Sequence, residues 1–393
     1  MEPPRHDHRN VAIDCLRGFC ILVVVCEHGL FRLPETPPWI LAIINKGYFA
    51  VVVFFVVSGF LIMSNTLRRY GQPSRINIGQ FYLMRLARIL PCLLLFITIM
   101  VLAAYSTSRL FHQADKTKLW QSVGAALTLQ YNVRYPLLNV RGLEPWAPLW
   151  SLSIEEMFYL AFPLVCLVTR WRTVLALVFA GLISHGAQWR DHHGIFSFWG
   201  AADLLALGCL TAMVTDSCRR WLQPFGVVLL LAGSALMAYI FLEVPLANHI
   251  FRTPTMLGLG AALFLMGAAA VAPREARFAL PVASLGRISY EVYVFHVALI
   301  MVLTEPVLAR FRPWGYPFYT TYMFASAAML VLICGICYLL ARCVTEPLNK
   351  GIRRWTGATR LAGQVQPAKA WPVVAQLPAS FREWTNRVMR GSR

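Results

Sequence analysis

The chain has 393 residues, of which 58% are hydrophobic and 14% are charged, with a formal net charge of +18. Soluble globular proteins have about half apolar and about a quarter charged residues, so this composition excludes a water-soluble enzyme. Long apolar runs without sustained heptads exclude a disordered chain and a coiled coil, and the cysteines lie almost wholly inside those runs, which excludes a secreted disulfide scaffold. The sequence therefore predicts an all-α polytopic transmembrane helical bundle.

About ten membrane spans fit this length, at roughly 20 residues per span with short loops. The apolar runs predict them, in chain order, at 11–30, 48–64, 86–105, 152–168, 174–187, 198–214, 223–242, 255–272, 288–304 and 319–341. We expect residues 1–343 to form the ten-span membrane domain and residues 344–393 to form a basic cytoplasmic tail.

One further apolar segment, at 119–132, is shorter than a span. It has about 14 residues, whereas roughly 17 are needed to cross a bilayer. We expect a re-entrant or interfacial helix on the outer side. If this segment does cross, every later loop moves to the opposite face of the membrane.

The positive charge indicates orientation rather than a nucleic-acid partner. With an inner N-terminus, 24 of the 36 lysines and arginines fall in inner segments. The positive-inside rule then places both termini in the cytoplasm. We expect the excess charge to contact membrane lipid headgroups, and we expect no nucleic-acid partner.

Ionisable residues interrupt the first apolar run, and this argues against a cleaved signal peptide. A charge inside the bilayer costs a few kcal/mol, so it normally faces a cavity or a partner. Arg17 and His28 are eleven residues apart, about three turns, so both lie on one helix face roughly 16 Å apart along the axis. Asp14 precedes Arg17 by three residues and can pair with it. The alternatives are an interfacial anchor for Arg17 and a hydrogen-bonded core position for His28.

Five motifs follow one another along the chain. They are DCLRG at 14–18 with His28, FFVVSGF at 54–60, RLARILP at 85–91, WSLSIEEMFY at 150–159 and ISYEVYVFH at 288–296. In order and spacing the chain resembles the membrane acyltransferase-3 family over about residues 11–347. Members are ten-helix enzymes that move acetyl or other short acyl groups from cytosolic acyl-CoA to sugars of surface polysaccharides and related acceptors. The resemblance implies an acyltransferase integral to the bacterial cytoplasmic (inner) membrane.

The family's functional positions match this chain residue by residue. Its arginine-x10-histidine pair falls on Arg17 and His28, its RxxR pair on Arg85 and Arg88, its serine-glycine-phenylalanine element begins at Ser58, and its glutamate falls on Glu155. Two positions depart from the pattern. Glu27 replaces the usual apolar residue beside His28, and Ala202 stands where members often carry arginine before Asp203, which weakens a functional assignment for Asp203.

Acyl transfer from a thioester to a hydroxyl needs a base, donors for the oxyanion and a grip on the acyl donor. Histidine titrates closest to neutral pH, so His28 is the predicted catalytic base. Glu155 is predicted to orient it, as a carboxylate does in a catalytic triad, with Glu156 as the second candidate. The alternative for both acids is a favourable position in the first turn of a helix.

The donor is predicted to be acyl-CoA, most simply acetyl-CoA, used as a substrate without any permanently bound cofactor. Guanidinium groups match phosphate oxygens, so Arg17, Arg85 and Arg88 are the predicted donor-binding residues. Positive-inside anchoring is their alternative role. The residues predicted to bind the acceptor or support the site are Asp14, Ser58, Glu156, Tyr290 and His296. The alternative is close helix packing for Ser58 and interior hydrogen-bonded packing for Tyr290 and His296.

No metal site is predicted, because Asp191, His192 and His193 lack further ligands at a suitable spacing. The predicted function is an integral membrane O-acyltransferase that acylates a hydroxyl of a surface or exported glycan or of a lipid-linked sugar. Direct transfer and an acyl-histidine intermediate stay open. A proton-coupled transporter of a small solute or glycan intermediate, or a structural subunit, is the alternative, since intramembrane charges also occur in carriers.

Overall fold

In the computed structural model of the protein, every described secondary-structure element is a helix. The described residues are 10–31, 36–106, 116–138, 144–169, 171–194, 196–243, 253–271, 280–311 and 317–356. Within these ranges there is no β-strand. The predicted all-α polytopic bundle is confirmed.

Each of the ten predicted spans coincides with one α-helix of the structure. The α-helices of the described residues are α1 (Val11–Glu27), α2 (Pro38–Ile44), α3 (Gly47–Tyr70), α4 (Ile78–Tyr105), α5 (Lys116–Leu127), α6 (Tyr131–Leu138), α7 (Leu149–Val168), α8 (Arg172–His193), α9 (Trp199–Leu222), α10 (Gly226–Glu243), α11 (Thr253–Ala270), α12 (Leu280–Arg287), α13 (Ser289–Phe311), α14 (Phe318–Leu340) and α15 (Glu346–Trp355). The spans correspond to α1, α3, α4, α7 to α11, α13 and α14.

Seven helical stretches of the described residues are long and apolar enough to cross a membrane. They comprise α3, α4, α7, α11 and α13, together with α9 joined to α10 and α14 joined to α15. Helix α1, with 17 residues, and the less apolar α8 fall outside this set. The number of ten crossings therefore stays a prediction. The expected domain boundary at residue 343 lies inside the stretch Tyr319–Trp355, and residues 357–393 of the expected tail lie outside the described residues.

The segment predicted to be re-entrant or interfacial consists of two short helices, α5 with 12 residues and α6 with 8. Leu129 lies between them in the left-handed region, with φ 59°, and this conformation breaks the helix. Twelve residues rise only about 18 Å, whereas the hydrocarbon core is about 30 Å thick. Neither helix is long enough to cross alone, as expected, and the side of the membrane on which they lie stays a prediction.

Helices α3 and α9 are in direct backbone contact at the centre of the bundle. A Cβ atom on Gly59 would overlap the carbonyl oxygen of Leu205, and one on Gly208 would overlap the carbonyl oxygen of Val56. Small residues allow such close approach between helices in a bilayer. This contact holds Ser58, the residue before Gly59, in a fixed position on α3.

A buried ion pair joins α8 to α9. Arg190 Nη1 lies 2.7 Å from Asp203 Oδ1, and the two side chains are 0% and 1% exposed. Arg190 also donates to the carbonyl oxygen of Gly200 at 3.0 Å and to the Thr255 hydroxyl of α11. A charge pair without solvent needs such additional hydrogen bonds to offset its desolvation. Asp203, whose functional assignment the sequence weakened, therefore connects three helices.

A matched pair of substitutions on α9 tests the structural role of this ion pair. Asp203→Ala leaves Arg190 buried without its counterion, so we expect it to lower the free energy of unfolding by about 3–5 kcal/mol. Asp216 also pairs with an arginine of α8, Arg172, at 2.8 Å, but it is 52% exposed. Asp216→Ala should therefore cost less than about 1 kcal/mol.

The measurement is reversible denaturation of the purified variants in detergent. Equal losses for the two variants would contradict the role assigned to the buried pair.

Candidate active site

A cavity of about 90 Å³ lies between five helices. Its polar lining residues are Arg17 on α1, Ser58 on α3, Arg85 and Arg88 on α4, Ser151, Glu155, Glu156 and Tyr159 on α7, and Ser289, Tyr290 and Tyr293 on α13. Seven of the ten predicted site residues are in this set: Arg17, Ser58, Arg85, Arg88, Glu155, Glu156 and Tyr290. All five sequence motifs thus contribute residues to the cavity, and the first motif supplies Arg17.

The three arginines of the cavity form no ion pairs with its two glutamates. Arg17 Nη2 donates to Ser289 Oγ at 2.7 Å, and the Arg85 guanidinium lies 4.3 Å from the centre of the Tyr159 ring. Arg88 is exposed and has no hydrogen bond to the described residues. Within the described residues no ion pair joins these arginines to the glutamates of the cavity. Such a group of guanidiniums is suited to bind an anion.

Glu155 and Glu156 have different surroundings. Ser58 Oγ donates to Glu155 Oε1 at 2.6 Å, which ties α3 to α7. Glu156 Oε1 is buried and has no hydrogen-bond partner among the described residues. Its unpaired oxygen can therefore accept a hydrogen bond from a bound molecule.

The structure does not show the contact expected between His28 and a glutamate, and the catalytic roles of His28 and Glu155 stay predictions. Neither Glu155 nor Glu156 is hydrogen-bonded to His28. The reason is the rise of α1: His28 caps its C-terminal end, eleven residues and about 16 Å beyond Arg17, which lines the cavity. The spacing that puts Arg17 and His28 on one face also separates them along the helix axis.

His28 pairs instead with His296 of α13. His296 Nε2 lies 3.3 Å from His28 Nδ1, with the ring centroids 4.8 Å apart and the rings nearly perpendicular. His28 Nδ1 also lies 2.9 Å from the Val24 carbonyl oxygen, and His296 Nδ1 lies 2.7 Å from the Tyr293 carbonyl oxygen. A carbonyl oxygen only accepts, so both Nδ1 atoms carry hydrogen. The one hydrogen on His28 Nδ1 is therefore shared between the Val24 carbonyl oxygen and His296 Nε2, and His28 Nε2 keeps its lone pair.

The two histidines differ in burial in a way that suits this arrangement. His296 is 0% exposed, whereas His28 is exposed at the end of α1. A small molecule can therefore approach His28, while His296 is held inside the bundle behind it. Sequence reasoning had assigned His296 only a supporting role and could not give its partner, 268 residues away.

Helix α13 connects the cavity to the histidine pair. Ser289, Tyr293 and His296 recur at helical spacing and so share one face. The Tyr293 hydroxyl lies 2.6 Å from Ser151 Oγ, and the Tyr293 ring contacts His296. Tyr290 donates to the Ile89 carbonyl oxygen of α4 at 3.1 Å. Sequence reasoning missed the cavity positions Ser151, Tyr159, Ser289 and Tyr293, although their spacing from the assigned motif residues was a usable signal.

Asp14 lies outside the cavity lining. Its backbone carbonyl packs against Gly286 of α12, and its carboxylate is near enough to act on the charge of Arg17. Among the described residues, no group of three histidine, cysteine or acidic side chains could hold a metal ion.

The chain belongs to the acyltransferase-3 family, because the family model described as an acyltransferase domain matches residues 10–342. It is 26% identical over 321 residues to the O-acetyltransferase OatA of Staphylococcus aureus strain NCTC 8325 / PS 47, in an alignment that covers 75% of this chain and 51% of OatA. OatA of S. aureus strain COL gives the same values. The chain thus spans about half the length of the curated relatives it matches. No solved structure matches it.

Proposed function

We propose that the protein is an integral membrane O-acyltransferase that moves an acetyl or other short acyl group from acyl-CoA to a hydroxyl of a surface or exported glycan. The observation that carries this proposal is the cavity with three guanidinium groups that form no ion pair with another described residue, in a chain of the acyltransferase-3 family. The similarity to a protein named O-acetyltransferase favours acetyl as the transferred group and oxygen as the acceptor atom.

The donor end of the site is assigned to Arg17, Arg85 and Arg88. The phosphates of CoA are the part of an acyl-CoA that a cluster of arginines recognises, since each planar guanidinium can donate two parallel hydrogen bonds to phosphate oxygens. Arg88, the exposed member, is placed to meet the phosphates first. The pantetheine arm would then extend along α1 and α13 toward the histidine pair.

The transfer step is assigned to His28. Its Nε2 takes the proton of the acceptor hydroxyl while the oxygen attacks the thioester carbonyl, and the protonated imidazole then returns this proton to the departing CoA sulfur. The Val24 carbonyl oxygen and His296 Nε2, which share the hydrogen on His28 Nδ1, hold the ring in this tautomer. An acyl-His28 intermediate would use the same residues, with Nε2 as the nucleophile.

Removal of the base provides the direct test of this assignment. We expect His28→Ala and His28→Gln to lower transfer of label from radioactive acetyl-CoA to the acceptor glycan by about 10²–10⁴-fold, because neither side chain can take the proton. His185→Ala is the matched control, since His185 is an exposed histidine on α8, away from the cavity.

Mass spectrometry of surface glycans, from cells with and without the protein, identifies the acceptor for this assay. Near-normal labelling of the glycan by well-folded His28→Ala protein would overturn the role of His28. Label that is moved across vesicles without a covalent bond to glycan would contradict an acyltransferase altogether.

The proposed reaction uses a donor from the cytoplasm and an acceptor on the outer side of a bacterial inner membrane. Both termini of the protein are proposed to lie on the cytoplasmic side. Cysteines introduced at two exposed positions test this sidedness, in a background that lacks the exposed Cys343. We expect His193→Cys, at the end of α8, to react with an impermeant maleimide in intact cells. Gly351→Cys on α15, where a side chain meets open space, should react only after permeabilisation.

Labelling of Gly351→Cys in sealed cells would show that the C-terminal helix faces outward. If His193→Cys is not labelled in intact cells, the end of α8 lies on the cytoplasmic side. The acyl transfer would then have to take place on that side.

A further inference from the structure

Helix α15 carries an arginine, Arg353, that lies close enough to Arg85 and Arg88 of the cavity to interact with their charges. This helix packs along α4, which supplies Arg85 and Arg88. On α15, Arg353 Nε and Asn349 Oδ1 are both buried without a hydrogen-bond partner among the described residues. Residues 349 and 353 are four apart, so these two unpaired groups lie on the same face of the helix. A buried polar atom without a partner is costly, and each such case requires an explanation.

The charges around Arg353 increase this cost. The guanidiniums of Arg69, Arg85 and Arg88 all act on Arg353, and like charges repel. The acid of the same helix does not relieve the repulsion, because the Glu346 carboxylate interacts with Arg342 at 3.5 Å and with Lys350 at 3.6 Å. Four arginines from three helices thus interact here, and among the described residues no acidic side chain forms an ion pair with Arg353.

We propose that Arg353 completes a phosphate-binding subsite with Arg69, Arg85 and Arg88 beside the cavity. The ligand is a phosphate ester, because several guanidiniums can share the oxygens of one dianionic or diester group in a way that a single carboxylate does not allow. Two sources carry this chemistry, the phosphates of CoA and the headgroup phosphate of an anionic lipid. The first source rests on the proposed function, and the second does not.

Arg354 provides a matched control, because it is the next residue of α15, carries the same charge and is exposed. The assay is equilibrium binding of CoA to the full chain in detergent, for the wild type and for Arg353→Ala, Arg353→Lys and Arg354→Ala. We expect Arg353→Ala to weaken binding about tenfold and Arg354→Ala less than twofold, since only the first removes a charge-assisted contact. Arg353→Lys should lie between them, because an ammonium keeps the charge but not the forked geometry.

A second arm measures retention of phosphatidylglycerol and of phosphatidylcholine by the same variants in native mass spectrometry. If Arg353→Ala weakens CoA binding and leaves lipid retention unchanged, the subsite binds the phosphates of the acyl-CoA donor. A selective loss of phosphatidylglycerol with unchanged CoA binding assigns it to a lipid headgroup.

Equal behaviour of the Arg353 and Arg354 variants in both arms would overturn the subsite. Failure of the wild type to bind CoA would count instead against the donor of the proposed function, whatever the lipid arm gives. The two proposals therefore fail by different results.

Discussion

Unpaired positive charge in one cavity is the constraint on which the remaining assignments depend. Arg17, Arg85 and Arg88 approach one another from α1 and α4 while Glu155 is hydrogen-bonded to Ser58 and forms no ion pair with them. The cavity holds three guanidiniums and two carboxylates, and this excess of positive charge supports the proposed anionic ligand. Of the helices that line the cavity, α3 is in direct contact with α9, which a buried ion pair joins to α8.

The rise of an α-helix then separates two kinds of chemistry. About 16 Å of α1 lies between Arg17, at the anion-binding cavity, and His28, at the exposed end of the helix. Helix α13 contacts both residues, with Ser289 accepting from Arg17 and His296 lying beside His28, and these two residues of α13 are about 10 Å apart along its axis. A donor that is long, with phosphates at one end and a reactive thioester at the other, matches this separation. The anchoring group and the reacting group can then be bound at different depths of the bundle.

The sequence predicted the parts of this arrangement that depend on local pattern. Hydropathy gave the helices, and the order of the motifs gave Arg17, Arg85, Arg88 and Ser58, which the structure places in one cavity. Spacing along one helix also gave the shared face of Arg17 and His28, but it could not give the contact of His28 with His296.

Contacts between distant parts of the chain could not be read from local pattern. The hydrogen bond of Ser58 with Glu155 joins residues 97 apart, and the histidine pair joins residues 268 apart. Arg353 had been counted only as a charge of the tail, because nothing in a basic segment tells which arginine packs back against the bundle. Such pairings depend on how the helices pack, and helix packing follows from the whole set of side chains in contact.

The most direct measurement is an electron cryomicroscopy structure of the full chain with acetyl-CoA bound. The account predicts density for phosphates against Arg85 and Arg88 and density for the thioester beside His28 Nε2, with the pantetheine arm running along α1 and α13. Acetyl-CoA bound outside the cavity, or bound with its thioester at the arginines and its nucleotide at His28, would contradict the separation of anion binding from acyl transfer.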